Sequence, residues 1–168
     1  MKKAEYFSPV VTIFDQDGNV DASGNKLVYE HLIKGGVDGI VVMGSSGEFF
    51  AMSMEQRKQL IDIAVPCINH RVKCLVGTGC MTPKETVELS NYALQAGANA
   101  VMIIGPYYFT LGAQNIEWYY DQILPQIQGN VFLYNYPGGS GYDLTPEITL
   151  RLLRKHKNLV GYKDTVDN

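Results

Sequence analysis

Short apolar runs alternate along the whole chain with segments of helical periodicity, and this alternation constrains the fold more than any other feature. The runs fall at residues 10–14, 39–43, 72–76, 100–104, 131–135 and 159–165, each with the length and aliphatic content of a buried strand. The segments between them carry helix signals. Ser53 with Gln56 and Thr82 with Glu85 are spaced as capping boxes, and Pro83 suits a first helical position. Leu60, Ile61, Ala64, Cys67 and Ile68 recur at helical spacing, as do Ile116, Tyr119, Tyr120, Ile123 and Ile127, with Pro125 expected to end that helix early. A helix is predicted over 23–33 with Val28 and Leu32 on one face and Gly35-Gly36 as its stop. The last helix opens at Thr145-Pro146-Glu147, and its basic final turn, from Arg154 to Lys157, complements the helix dipole. Tyr136-Pro137-Gly138-Gly139 is expected to be loop.

Six strands joined by five helices, at roughly thirty residues per repeat, have the spacing of right-handed βαβ crossovers and demand a mostly parallel sheet. Two α/β architectures satisfy this. An open doubly wound sheet needs no more strands than these, whereas a closed (β/α)8 barrel needs eight and about 250 residues. However, no strand here opens into the G-x-G-x-x-G loop that most often gives the open form its function.

The 168 residues are 46% hydrophobic and 18% charged, enough apolar material for the core of one domain. A formal net charge of -3 supplies no electrostatic case for nucleic acid or an anionic membrane as partner. No secretory apolar segment follows Met1-Lys2-Lys3-Ala4-Glu5, and no run approaches the ~18 residues of a membrane span, so a cytoplasmic location is the default expectation. Cys67, Cys74 and Cys80 lack C-x-x-C spacing and are expected to be buried or half-buried thiols without chemistry. His31, His70 and His156 fall in helices or loops, where surface positions are expected, and no set of His, Asp and Glu has metal-ligand spacing. The run from Asp15 to Asn19 resembles a calcium loop, but the required twelfth-position glutamate would be Lys26, so a turn is expected.

In a βα fold ligands lie at the carboxyl ends of the strands. Here those ends carry Ser45-Ser46, Thr78, Tyr107-Tyr108, Tyr134-Asn135 and Lys163. A lysine at the end of a core strand either reaches solvent or sits desolvated in a cleft, where the neutral amine can attack a ketone to form a Schiff base. Ser45 and Ser46, between glycines and before Glu48, offer donors suited to a carboxylate or to capping a turn. Tyr134 is either a proton carrier or a core tyrosine with a satisfied hydroxyl. Their coincidence on one rim is more informative than any one of them.

Gly44-Ser45-Ser46-Gly47-Glu48, Gly77-Thr78-Gly79, Tyr134-Asn135-Tyr136-Pro137-Gly138-Gly139-Ser140-Gly141 and Gly161-Tyr162-Lys163-Asp164 together resemble the dihydrodipicolinate synthase and N-acetylneuraminate lyase family. These are pyruvate-dependent class I aldolases built as (β/α)8 TIM barrels. The resemblance covers essentially all 168 residues and stops just after the sixth strand, which implies a single domain that is an incomplete barrel over residues 1–168. It implies that Lys163 forms the imine with pyruvate and that Tyr134 relays protons. By the same resemblance Ser45 hydrogen-bonds Tyr134, and Ser45 with Ser46 holds the pyruvate carboxylate. Tyr108 matches a second relay tyrosine that in family tetramers reaches a neighbouring subunit, so a homo-oligomer, dimer or tetramer, is expected of the full-length protein. No cofactor and no metal are implied. Gly139 stands where the synthases carry an arginine for their second substrate, and Phe109 where they usually have asparagine. These departures favour a lyase or aldolase acting on a sugar-derived 2-oxo acid, of the 2-keto-3-deoxy acid or N-acetylneuraminate type, with pyruvate as the common half. The alternatives are a 4-hydroxy-tetrahydrodipicolinate synthase joining pyruvate to aspartate semialdehyde, and an inactive fragment or non-catalytic 2-oxo acid binder.

Overall fold

A computed structural model describes residues 4–166. The chain partitions into two compact units, residues 1–77 with 92–99 and residues 78–91 with 100–168.

In the first unit β1 (Phe7–Pro9), β2 (Gly39–Val42) and β3 (Lys73–Gly77) pair in parallel and in chain order. The expected first strand, 10–14, is displaced. Pro9 lacks an N–H to continue the ladder, so only Val10 adds one more bond, to the Val41 carbonyl at 3.2 Å, and Phe14 bridges Val20 across the Asp15–Asn19 turn. Helix α1 (Ala22–Gly35) is capped by Asp21, and its fully buried positions are Asn25 and Tyr29, with Val28 and Leu32 only half-buried. Asn25 is tolerated there because its amide bonds both backbone groups of Ile13, at 3.1 and 2.8 Å. Helix α2 (Met54–Ile68) opens on the capping box of Ser53 and Gln56 and buries Leu60, Ile61, Ala64 and Ile68 as their spacing predicts.

Helix α3 (Pro83–Ala96) begins at Thr82, whose hydroxyl accepts from the Glu85 N–H and donates to the Glu85 carboxylate, and it stops at Gly97 with φ 109°. The second unit has β4 (Ala100–Ile103), β5 (Val131–Asn135) and β6 (Leu159–Asp164), again parallel and in chain order. Helix α4 (Ala113–Ile123) gives way to a 3-10 turn at Leu124–Gln126, as Pro125 requires. The Tyr136–Gly139 stretch is not simple loop: Pro137–Ser140 closes one helical turn, α5, because proline starts a turn and glycine does not obstruct it. Helix α6 (Pro146–Lys155) is tied to α4 by Arg151 on Glu117 at 2.8 Å and by Lys155 on Asp121 at 2.5 Å. His156 is not a surface group; it is 7% exposed and bonds the other Asp121 oxygen at 2.7 Å. Partial burial pushes the Asp121 carboxyl up, but the bonds from Lys155 and His156 outweigh it and hold the group below its ordinary value.

Candidate active site

Lys163 is the fifth residue of the six-residue β6, and its ladder partner on β5 is Tyr134. That pairing depends on an irregularity. Val131 pairs with Leu159, but Phe132 pairs with Gly161, so Val160 is an extra residue that shifts the register of everything after it. Because side chains alternate along a strand, the bulge reverses which face of β6 carries each later residue. Without it Tyr134 would face Tyr162, and the lysine would project from the opposite face. With it, the Lys163 Nζ lies 4.1 Å from the centroid of the Tyr134 ring. Gly161 is required beside the bulge, since a Cβ there would meet the Phe132 ring at 2.1 Å.

Tyr134 is 5% exposed and its ring is stacked on Tyr136, with centroids 5.9 Å apart and planes 8° from parallel. The Tyr136 ring in turn lies over α5. A Cβ on Gly139 would fall 2.6 Å from two of its carbons. The room that glycine leaves is therefore occupied by an aromatic ring. Ser140 is likewise committed: its buried hydroxyl bonds the carbonyls of Tyr136 and Tyr142 at 3.0 and 2.9 Å. The Tyr136 hydroxyl, in contrast, has no protein partner among the described residues.

In the first unit, Gly44-Ser45-Ser46-Gly47-Glu48 turns away from β2 through a 3-10 turn at Ser45–Gly47. Non-glycine residues in the left-handed region bracket it, Met43 at φ 55° and Glu48 at φ 56°, a conformation that costs free energy and clusters at functional sites. Its anchors lie far away in sequence. The Thr12 hydroxyl, buried, donates to the Gly47 carbonyl at 2.7 Å, while a Cβ on Gly77 would fall 1.9 Å from the Met43 carbonyl oxygen. Arg57, buried over the Phe49 ring, donates to the Gly77 carbonyl at 3.2 Å. Sequence reading passed over Thr12 and Arg57, since a lone threonine and a helical arginine give no signal before the tertiary structure is known. Thr12→Val removes this anchor at nearly constant volume. The expected result is a loss of about 1–1.5 kcal/mol of stability, the value of a lost buried hydrogen bond, with Thr12→Ser close to the parent. An unchanged melting temperature in Thr12→Val would show that the loop holds without it.

Two other strand-end residues are placed differently from Lys163 and Tyr134. Thr78 is fully buried and bonds Ser90 at 2.7 Å, which makes it a packing residue. Tyr108 is 78% exposed and packs edge-on against the exposed Phe109, with centroids 4.8 Å apart. Cys74 and Cys80 are buried and Cys67 half-buried, and burial pushes the Cys74 thiol up to about 12, as an inert thiol requires. Among the described residues no group of His, Cys, Asp and Glu could hold a metal ion.

Parallel strands in chain order with helices between them are the first six strands of a (β/α)8 chain, with a lysine over a tyrosine at the strand ends. The chain belongs to the dihydrodipicolinate synthetase family, whose model matches residues 2–168. It is 41% identical over 160 residues to YagE of Escherichia coli K12, described provisionally as a 2-dehydro-3-deoxy-D-gluconate aldolase, covering 95% of this chain and 53% of that protein. It is 34% identical over 155 residues to the 4-hydroxy-tetrahydrodipicolinate synthase of Bacillus subtilis, covering 92% of this chain and 53% of that one. The crystal structure of YagE in complex with pyruvate superposes with a TM-score of 0.93 at 40% identity, over 98% of this chain and 55% of that chain. The chain thus spans about half the length of the relatives it matches.

Proposed function

We propose that residues 1–168 are the N-terminal part of a single longer (β/α)8 domain and that the whole protein is a Schiff-base-forming pyruvate aldolase. The Lys163 amine over the Tyr134 ring carries this reading. In the proposed reaction the amine adds to the ketone carbon of the 2-oxo acid and the carbinolamine loses water. The bond between the carbons α and β to the resulting iminium then breaks, its electron pair forming an enamine while the β-hydroxyl gives up its proton and the β-carbon departs as an aldehyde. Protonation and hydrolysis of the enamine release pyruvate and the free amine. Tyr134 moves the protons of these steps, and Tyr108 is a second member of the relay. Ser45 and Ser46 take the carboxylate. No cofactor is needed, because the iminium is itself the electron sink.

The second half of the substrate is proposed to be a hydroxylated, sugar-derived chain. A synthase arginine at position 139 would collide with the Tyr136 ring, whereas that ring and its hydroxyl suit a polyhydroxylated carbon chain. The relatedness to YagE supports the same choice, and the relatedness to the synthase of B. subtilis keeps aspartate semialdehyde as the competing substrate. The exposed Tyr108–Phe109 pair supports assembly into a dimer or tetramer. Among the described residues no helix is long and apolar enough to cross a membrane, consistent with a cytoplasmic site of action.

The test is to trap the complete protein with pyruvate and borohydride and then assay it on both substrate classes. The expected outcome is a reduced pyruvyl adduct on Lys163 alone, and a higher kcat/KM for a 2-keto-3-deoxy acid or a sialic acid than for aspartate semialdehyde. An adduct elsewhere, or none, sinks the mechanism; a clear preference for aspartate semialdehyde sinks the substrate assignment.

A further inference from the structure

We propose that Asn135 is a positioning residue for Lys163, acting from the opposite face of the sheet; this rests on the Schiff-base reading above. Asn135 and Asp164 form the last rung of the β5–β6 ladder, immediately beyond the rung of Tyr134 and Lys163. Alternation places the reactive pair on one face and this pair on the other.

Asn135 is 1% exposed, and both ends of its side-chain amide and its carbonyl are engaged. Its amide nitrogen donates to Asp143 at 2.7 Å and to Asp164 at 3.1 Å. Its side-chain oxygen accepts from the Leu144 N–H at 3.0 Å, and its carbonyl accepts from the Thr165 hydroxyl at 3.1 Å. On the other side of Lys163, the Tyr162 hydroxyl donates to the Leu144 carbonyl at 3.0 Å. The residues before and after the lysine are therefore both tied to the segment at 143–144. The backbone of Lys163 is held between these ties, on a strand already bulged at Val160 and with Asp164 the last rung of its ladder among the described residues.

The chemistry of the rung selects an amide. Two carboxylates converge on one nitrogen while a backbone N–H needs an acceptor, and only a side chain with two donors and an acceptor answers both. Aspartate has the same shape but no donor, and it would add a third negative charge beside Asp143 and Asp164. A hydrophobic residue would leave the Leu144 N–H buried without a partner. Displacing a reacting group by about 1 Å can cost 10²-fold in rate, so loosening this rung is expected to slow the attack of the amine without changing what holds the substrate carboxylate.

The experiment measures imine formation with pyruvate in the complete protein, by quenching single turnovers with borohydride and reading the adduct by intact mass. Parent, Asn135→Ala, Asn135→Asp and Asp164→Ala are compared. Replacing Asp164 cuts the same tie from the neighbouring strand. The amplitude of trapping counts competent molecules, which separates damage to the fold from damage to the rate. The rate constant at saturating pyruvate is expected to fall about 10- to 100-fold in the Asn135 variants, and in the same direction in Asp164→Ala. The half-saturating pyruvate concentration should change less than about threefold, a division that general loss of stability would not produce. Should the Asn135 variants not fold, the rate constant of Asp164→Ala alone decides. Variants that match the parent rate constant overturn this inference while leaving the Schiff-base reading intact. A parent that traps no pyruvate overturns both.

Discussion

Tyr134→Phe in the complete protein should lower turnover by about 10²- to 10⁴-fold, the range for a general acid-base group, with its melting temperature close to the parent's. The substitution isolates one oxygen atom. Tyr134 is almost completely buried, and phenylalanine keeps the ring under the Lys163 amine and the stack on Tyr136. A cation over an aromatic face is held by the ring rather than by the hydroxyl, so the amine stays in place. In the proposed mechanism what is lost is the proton carrier for formation of the imine and for chemistry at carbon. Pyruvate trapping by Lys163 should therefore slow but not vanish, and kcat should fall more steeply than KM rises. Turnover at the parent rate would remove Tyr134 from the mechanism.

How far the sequence exposes such features depends on whether the cause is local. Strand β5, the capping box at Ser53 and the hydroxyl cap at Thr82 lie where their residues predict, because caps and aliphatic runs act over a few neighbours. Strand β1 escaped because three residues ending in proline carry no periodicity, and Asn25 because a polar core position looks exposed until its partner at Ile13 is known. The bulge at Val160 is invisible for a related reason. It exists only as a relation between two strands, yet it decides which face bears the lysine. Lys163 and Tyr134 were legible as strand-end residues; their 4.1 Å approach was not. Gly139 differs: its place in the family motif marks a missing arginine, and the structure adds that the ring of Tyr136, three residues earlier, lies over it.

Gly77→Ala tests the most constrained of these relations and should be the most damaging single methyl addition in the first unit. The added Cβ would lie 1.9 Å from the Met43 carbonyl oxygen and 2.8 Å from its carbon, both backbone atoms with no rotamer to escape into. Met43 already sits at φ 55°, and the Gly77 carbonyl is held by Arg57, so neither partner can retreat without disturbing the serine loop or its support. Overpacking typically costs about 1–3 kcal/mol, and a clash with fixed backbone belongs at or above the upper end. At roughly 2–4 °C per kcal/mol for a domain of this size or larger, the melting temperature should fall by about 6–12 °C. On the proposed role of Ser45 and Ser46 in holding the carboxylate, pyruvate KM should rise with it, because relief of the clash moves Met43 and with it the turn that carries them. Gly35→Ala is the control, since nothing lies within 4 Å of its added Cβ and the site is helical. There alanine should be neutral or stabilising by up to ~1 kcal/mol. A Gly77→Ala protein that melts within 2 °C of the parent, roughly 1 kcal/mol or less, would mean that the Met43 carbonyl can move freely and that the serine loop is held by something other than this contact.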